Sequence, residues 1–152
     1  KGSRGEREDK SGPLAAELLA GAGYTVEETL LLPDEEAALK AQLIRLADGR
    51  QLNLILTTGG TGFSPRDITP EATMAVATRN APGIAEAIRY PSLATTPGGM
   101  LSPGASVLRG KTLIVNLPGS PKAVREDLEY LLPSLEHGVR IAAGLDGECA
   151  CK

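Results

Sequence analysis

The sequence is short of cysteine and histidine. Its two cysteines, Cys149 and Cys151, lie one residue apart in the tail, where such a pair cannot cross-link a fold. With His137 as the one histidine, the chain has too few partners for a zinc site. We therefore expect no zinc and no disulfide, no catalytic role for His137, and a reducing, cytoplasmic location.

An excess of one charge and long apolar runs are also lacking. The 16 basic and 19 acidic residues give a formal net charge of -3, which does not favour a general nucleic-acid or membrane-surface binder. No apolar run approaches the roughly eighteen residues of a transmembrane helix. The hydrophilic first ten residues do not resemble a signal peptide. Because residue 1 is lysine rather than methionine, we expect the gene product to begin upstream.

The composition and periodicity of the chain predict one domain over residues 1–152. A 41% hydrophobic composition is enough for a real core. Apolar spacing predicts helices over 13–20, 33–47, 69–79, 83–88 and 122–141, with Ser11 as the first N-cap. Apolar runs predict strands over 24–32, 52–56 and 112–117, and residues 90–109 should be mostly loop with a short helical piece. This alternation predicts a doubly wound α/β fold with a mostly parallel sheet and helices on both faces, in three α/β/α layers.

Two turns join a buried strand to a helix. In the first, Gly59, Gly60 and Gly62 precede Thr69, which is the expected N-cap of a helix with Pro70 at its first position. The second turn spans 118–122, with Ser120 as N-cap and Pro121 next. Ligands of open α/β sheets bind at the carboxyl ends of the strands, and glycine turns beside helix N-termini attract anions. We therefore predict a ligand with phosphates, or two ligands that meet phosphate to phosphate.

The common phosphate motifs do not fit the glycine turn. It lacks the Gly-Lys-Ser/Thr ending of a Walker A loop, and Pro65 stands where the third glycine of a dinucleotide fingerprint belongs. A purely structural tight turn remains an alternative.

Charged residues beside the two turns are the candidates for chemistry. Arg66 can bind phosphate or carboxylate through two donors, and Lys122 adds a point charge. Because Thr69 is the better N-cap, Asp67 is more readily explained as a ligand of Mg²⁺ bridging phosphate oxygens. Asp34 follows a predicted strand and should lie at the same edge, although an acid at a helix start is the alternative interpretation.

Several short blocks of this sequence, at specific spacings, match the pattern of a known family. They are TTGGTG at 57–62, RDITPE at 66–71, MLS at 100–102 and NLPGSP at 116–121, with GSRG at 2–5 and DKSGP at 9–13. These blocks resemble the molybdopterin adenylyltransferase family, which includes bacterial molybdenum-cofactor enzymes and the G domains of gephyrin and its plant counterpart. The resemblance implies a homotrimer that joins molybdopterin to AMP from Mg-ATP, releases pyrophosphate and passes the product to a molybdenum insertase.

The resemblance also implies roles for individual residues. It assigns nucleotide or phosphate binding to Thr58, Gly59, Gly60, Thr61, Gly62 and Arg66. It assigns catalysis and Mg²⁺ to Asp67 and Asp34, and molybdopterin binding to Ser11, Ser102, Pro118, Gly119, Ser120 and Lys122.

The sequence departs from the family pattern at two places. The family begins with a strand ending in Ser-Asp, expected to be central, which is absent ahead of this chain's opening loop. Relatives usually carry Arg where this chain has Pro103. These departures motivate one alternative to the enzyme, a non-catalytic molybdopterin-binding or carrier module of the same fold. The structural role of gephyrin suggests another, a trimeric scaffold.

Overall fold

A computed structural model describes residues 8–145. The resembling block at 2–5 and the pair Cys149 and Cys151 lie outside these residues. The helices and strands, in chain order, are α1 (Ser11–Gly21), α2 (Glu36–Ile44) with a π-helical turn (Arg45–Gly49), β1 (Leu54–Thr58), α3 (Thr69–Ala75), β2 (Arg79–Asn80), α4 (Pro82–Thr95) with a 3-10 turn (Pro97–Leu101), β3 (Ser106–Arg109), β4 (Thr112–Leu117) and α5 (Pro121–Ala143).

The four described strands form one sheet in the order β1-β4-β3-β2. β1 and β4 are parallel, and their register places Thr58 opposite Leu117. β3 runs antiparallel to both β4 and β2, so three of the four strands point the same way. The carboxyl ends of β1 and β4 therefore share one edge of the sheet, which we call the rim, and both glycine-containing turns leave from it.

Helices cover both faces of the sheet, which confirms the three-layer α/β fold. One core lies between the sheet and α1, α4 and α5, and includes Leu113, Val115 and Leu117 of β4. The other lies on the α2 and α3 side and includes Ile55 of β1 and Ile114 of β4. Alternate residues of β4 point to opposite layers, because successive side chains of a strand face opposite sides of the sheet. No helix within residues 8–145 is long and apolar enough to cross a membrane.

Two elements next to β3 differ from the sequence prediction. The helix predicted over 69–79 ends at Ala75, because the Thr78 N–H donates to the Leu108 carbonyl of β3 and the chain turns into β2. Residues 90–109, predicted as mostly loop, contain the second half of α4 and the strand β3. Pro91 removes one helical hydrogen bond but does not end α4, so this predicted helix is longer than 83–88.

The strand predicted over residues 24–32 is wrong: the segment forms no strand. A groove of about 1080 Å³ separates this segment from the outer edge of β1. Within the described part of the chain, no strand pairs with the segment or with that edge of β1. Glu28 of this segment forms ion pairs with Arg45 and Arg50, which hold it beside the π-helical turn. An alternating apolar pattern becomes a strand only when a neighbour can complete its backbone hydrogen bonds.

Asp127 is a buried carboxylate on the inner side of α5. It is 8% exposed, and its Oδ2 atom has no hydrogen-bond partner within the described part of the chain. Burial raises the pKa of Asp127 to about 6, and the negative charge of neighbouring Glu126 adds to this shift. The folded state therefore binds a proton more tightly at Asp127 than the unfolded chain does.

We predict that Asp127→Asn stabilises the protein at neutral and higher pH. The raised folded pKa lowers the free energy of unfolding as pH rises from about 4 to about 6, by at most about 3 kcal/mol. The variant should remove this loss, so its urea-unfolding curves at pH 4 and pH 8 should differ less than those of the wild type. Glu126→Gln, which alters an exposed neighbour, should change the curves less because burial is the larger cause. An unchanged pH dependence in Asp127→Asn would contradict the assignment.

Candidate functional site

The two turns at the rim touch each other through their backbones. Gly59 and Gly60 have φ angles of 83° and 65°, a region that favours glycine. The Gly59 N–H donates to the Leu117 carbonyl at 3.1 Å, which joins the first turn to the end of β4. A Cβ atom on Gly119 would lie 3.1 Å from the Gly59 Cα, so position 119 is crowded, whereas a Cβ atom on Gly59 would lie 3.7 Å from the Gly119 Cα, an ordinary contact distance. The glycines therefore do more than make a turn: they let the two turns approach each other.

Gly60 also holds the start of α3 against the first turn. Its carbonyl accepts a hydrogen bond from the Thr69 N–H at 3.1 Å, and a Cβ atom added to Gly60 would collide with the Thr69 hydroxyl oxygen. Thr69 is the first residue of α3 rather than its N-cap, which is Ile68 without a side-chain cap. The predicted cap is thus wrong, because the Thr69 backbone and hydroxyl face Gly60 instead.

A pocket of about 280 Å³ opens beside this turn. It is lined by Asp34, Gly60, Ser64, Arg66 and Asp67. The structure therefore brings both predicted carboxylates and the predicted guanidinium to one place. The ligand roles of these residues remain predictions.

Asp67 is held in place by the segment that precedes it. Its Oδ2 atom accepts a hydrogen bond from the Ser64 N–H at 3.2 Å, and its own N–H donates to the Ser64 carbonyl at 2.8 Å. A Cβ atom on Gly62 would lie 2.7 Å from the same Oδ2 atom. One carboxylate oxygen is therefore fixed by the backbone, in a position that a larger residue at 62 would disturb.

Two acidic residues, Asp34 and Asp67, line the pocket, and they do not form a complete metal-binding site by themselves. Residues 8–145 contain no group of three or more His, Cys, Asp or Glu side chains that could hold a metal ion. Mg²⁺ is commonly bound by one or two carboxylates together with substrate phosphates and water. The donor set fits a cation that arrives with a phosphorylated ligand.

The second turn is fixed from both sides. The Ser120 hydroxyl accepts a hydrogen bond from the Ala123 N–H at 3.1 Å, which confirms Ser120 as the N-cap of α5. The buried Ser11 hydroxyl donates to the Gly119 carbonyl at 2.9 Å. Ser11 is the first residue of α1 and not its N-cap, because the Asp9 carboxylate accepts from the Ser11 N–H instead.

The remaining predicted ligand residues are spread around the rim. Ser11, Thr58, Gly59 and Gly119 line the groove beside β1. Pro118, Ser120, Ser102 and Lys122 line neither the groove nor the small pocket. The Lys122 side chain is 86% exposed and pairs with Glu126 at 3.8 Å, whereas Thr61 is only 8% exposed and offers little surface.

Sequence reasoning missed the side chain of Asn116. Asn116 is 3% exposed, and its Oδ1 atom accepts from the Ala105 N–H at 3.0 Å. Its Nδ2 atom donates to the hydroxyls of Thr57 and Thr73, each at 2.9 Å. A polar residue inside the otherwise apolar run of β4 is the signal that could have identified it, because buried amides require partners.

Comparisons with known proteins confirm the family that the sequence blocks resemble. Residues 1–137 match a family described as "Probable molybdopterin binding domain". The chain is 45% identical over 131 residues to the molybdopterin adenylyltransferase of Escherichia coli K12, covering 85% of this chain and 67% of that protein. It is 39% identical to the Helicobacter pylori J99 protein of the same name, covering 95% and 83%. Among solved structures, the molybdopterin biosynthesis enzyme MoaB of Thermus thermophilus aligns with a TM-score of 0.89 at 49% identity, covering 95% and 91%.

We predict that Gly60→Ala destabilises the protein more than Gly110→Ala. Both glycines have positive φ angles, so both variants incur a backbone cost of about 1 kcal/mol. Only at Gly60 does the added methyl group also meet Thr69, whereas no atom lies within 4 Å at Gly110. Urea unfolding should therefore show an additional loss of about 1–3 kcal/mol for Gly60→Ala, typical of overpacking. Equal losses in the two variants would show that the Gly60–Thr69 contact constrains nothing.

Proposed function

The chain belongs to the family of molybdopterin-binding domains, and we propose that it acts in molybdenum cofactor biosynthesis as a molybdopterin adenylyltransferase. In this reaction the terminal phosphate of molybdopterin attacks the α-phosphorus of ATP. A new phosphorus–oxygen bond to the pterin phosphate forms as the bond to pyrophosphate breaks. The products are adenylyl-molybdopterin and pyrophosphate.

The observation that carries the proposal is the meeting of Asp34 and Asp67 with the first glycine turn in one pocket. Both reactants are polyanions, so catalysis consists mainly of positioning them and balancing their charge. Backbone N–H groups of the turn at 58–62 would bind ATP phosphates. Arg66, which is exposed at the pocket, would add a donor for a phosphate oxygen.

Asp34 and Asp67 are the residues that would hold Mg²⁺. The ion would supply charge neutralisation and bridging of the phosphate oxygens. The backbone hydrogen bond on one oxygen of Asp67 orients this carboxylate before ligand arrives. A residue oriented in advance contributes more to a transition state than one that must be ordered on binding.

The second turn and its surroundings would bind the pterin side. The proposed contacts are Ser102, Pro118, Gly119, Ser120 and Lys122, with Ser11 fixing Gly119 from behind through its hydroxyl. Two turns in backbone contact would bring the two phosphates together. We further propose a homotrimer, transfer of the product to a molybdenum insertase and a cytoplasmic location.

We predict that Asp67→Asn lowers adenylylation by about 10²–10³-fold, as expected when one preorganised electrostatic group is removed. Asparagine can still accept the Ser64 hydrogen bond, so the fold should be preserved. The assay incubates protein with Mg-ATP and molybdopterin, and measures pyrophosphate and adenylylated pterin. Glu71→Gln, an exposed acid in the first turn of α3, is the matched control and should retain wild-type rates.

Two results would contradict parts of this proposal. Wild-type turnover by Asp67→Asn would remove Asp67 from the mechanism. Molybdopterin binding by the wild-type protein without release of pyrophosphate would favour a carrier module over an enzyme.

A further inference from the structure

The segment that bears Ser102 is fixed by an arginine from α4. The Nε atom of Arg89 donates to the Ser102 carbonyl at 3.1 Å, and its Nη2 atom reaches the Gly104 carbonyl at 3.4 Å. These two carbonyls flank Pro103. The planar guanidinium presents several donors in a fixed fork, so a single side chain can span both carbonyls.

The other end of this segment is fixed by β4. The Ala105 N–H donates to the Asn116 side chain at 3.0 Å, and the Ala105 carbonyl accepts from the Asn116 N–H at 2.9 Å. Residue 105 is therefore immobilised by β4, whereas the Ser102 and Gly104 carbonyls are held by Arg89. The Ser102 N–H makes one long hydrogen bond, at 3.4 Å, to the Gly99 carbonyl of the preceding 3-10 turn. Ser102 is extended, with φ -109° and ψ 98°, as is usual for a residue before proline.

Arg89 has no acidic partner within the described part of the chain. No carboxylate of residues 8–145 forms an ion pair with Arg89, whereas eight ion pairs join other described residues. The half-buried Arg89 guanidinium instead directs its Nε and Nη2 donors at backbone carbonyl oxygens. The Ser102 and Gly104 carbonyls are thus its binding partners rather than incidental neighbours.

We propose that Arg89 is a positioning residue for molybdopterin, acting by holding the Ser102 segment in its binding conformation at the rim. This inference rests on the proposed function, since it concerns the pterin side of the same site. Without Arg89, the segment 102–104 would have to be ordered each time the pterin binds. The cost would appear in pterin affinity and not in ATP affinity.

We expect Arg89→Met to raise KM for molybdopterin at least about tenfold while KM for ATP changes less than about twofold. Arg89→Lys keeps the charge but cannot span both carbonyls, so it should recover only part of the loss. Full recovery by lysine would show that charge alone matters and would overturn the positioning role. An unchanged KM for molybdopterin in Arg89→Met would also overturn it.

Arg109→Met is the matched control. Arg109 is likewise a half-buried arginine that donates to a backbone carbonyl, that of Val76, at 2.7 Å. It lies at the end of β3 remote from the rim, and pairs with Asp48. The melting temperature of Arg109→Met should fall by about as much as that of Arg89→Met, but its KM values should stay at the wild-type level. An equal rise in KM for molybdopterin in both variants would show that general destabilisation is the cause, against the proposal.

Direct titration with molybdopterin separates this inference from the proposed reaction. A wild-type protein that binds molybdopterin without turnover would contradict only the adenylyltransferase function. Arg89→Met should then still raise the Kd at least about tenfold. Equal Kd values for wild type and Arg89→Met would contradict only the role of Arg89, and a wild-type protein with no affinity for molybdopterin would contradict both.

Discussion

The carboxamide of Asn116 joins three parts of the molecule at the rim. Its oxygen accepts from the N–H of Ala105, next to the start of β3, and its nitrogen donates to Thr57 of β1 and Thr73 of α3. All three hydrogen bonds lie in a region where Asn116 and Thr73 are almost inaccessible to water. Inside a protein, such a bond is strong, and an unpaired partner is costly. Each segment that leads into the candidate site is thereby placed relative to the same side chain.

The turns above this amide depend on close backbone approach. β1 and β4 are held in parallel register up to Thr58 and Leu117, and the chain then leaves both strands at the same height. The close approach of the two turns depends on Gly119, where a Cβ atom would lie only 3.1 Å from the Gly59 Cα. A larger residue at position 119 would push the two turns apart.

How far the sequence predicted the fold depended on whether a signal was local. β4 was predicted with the correct limits, and α5 within a few residues, because a continuous apolar run and a long amphipathic pattern carry their own evidence. β3 was missed although β4, its partner, follows after only Gly110 and Lys111, because its run of four residues is short and the glycines and prolines at 97–104 indicated a loop. The strand prediction for residues 24–32 failed for the opposite reason. The local apolar pattern was that of a strand, but no described strand lies beside the segment.

In the candidate site, too, features with a local sequence signal were predicted and features that depend on distant contacts were not. The glycine turn, both acids and the cap at Ser120 could be found from residue type and spacing. The polar position in β4 marks Asn116 as a buried amide, but the partners of Asn116 and of Arg89 could not be found, because they are separated from them in sequence. Capping was mispredicted at Ser11 and Thr69, since propensity identifies good capping residues but not competing partners. Ser11 bonds to Gly119, and Thr69 packs on Gly60.

The spacing within the first turn has a steric explanation. Gly60 leaves room for Thr69, the first residue of α3, and Gly62 leaves room for the carboxylate of Asp67. The glycines and the acid are thus parts of one unit, in which each missing side chain makes space for a particular group nine residues or fewer further along the chain. This unit fixes the Asp67 carboxylate beside the Ser64 N–H, at the edge of the pocket that Asp34 and Arg66 also line. A purely structural tight turn requires glycine conformations but does not require an acid fitted against one of those glycines. The fitted acid therefore favours a binding function for the turn over a purely structural one.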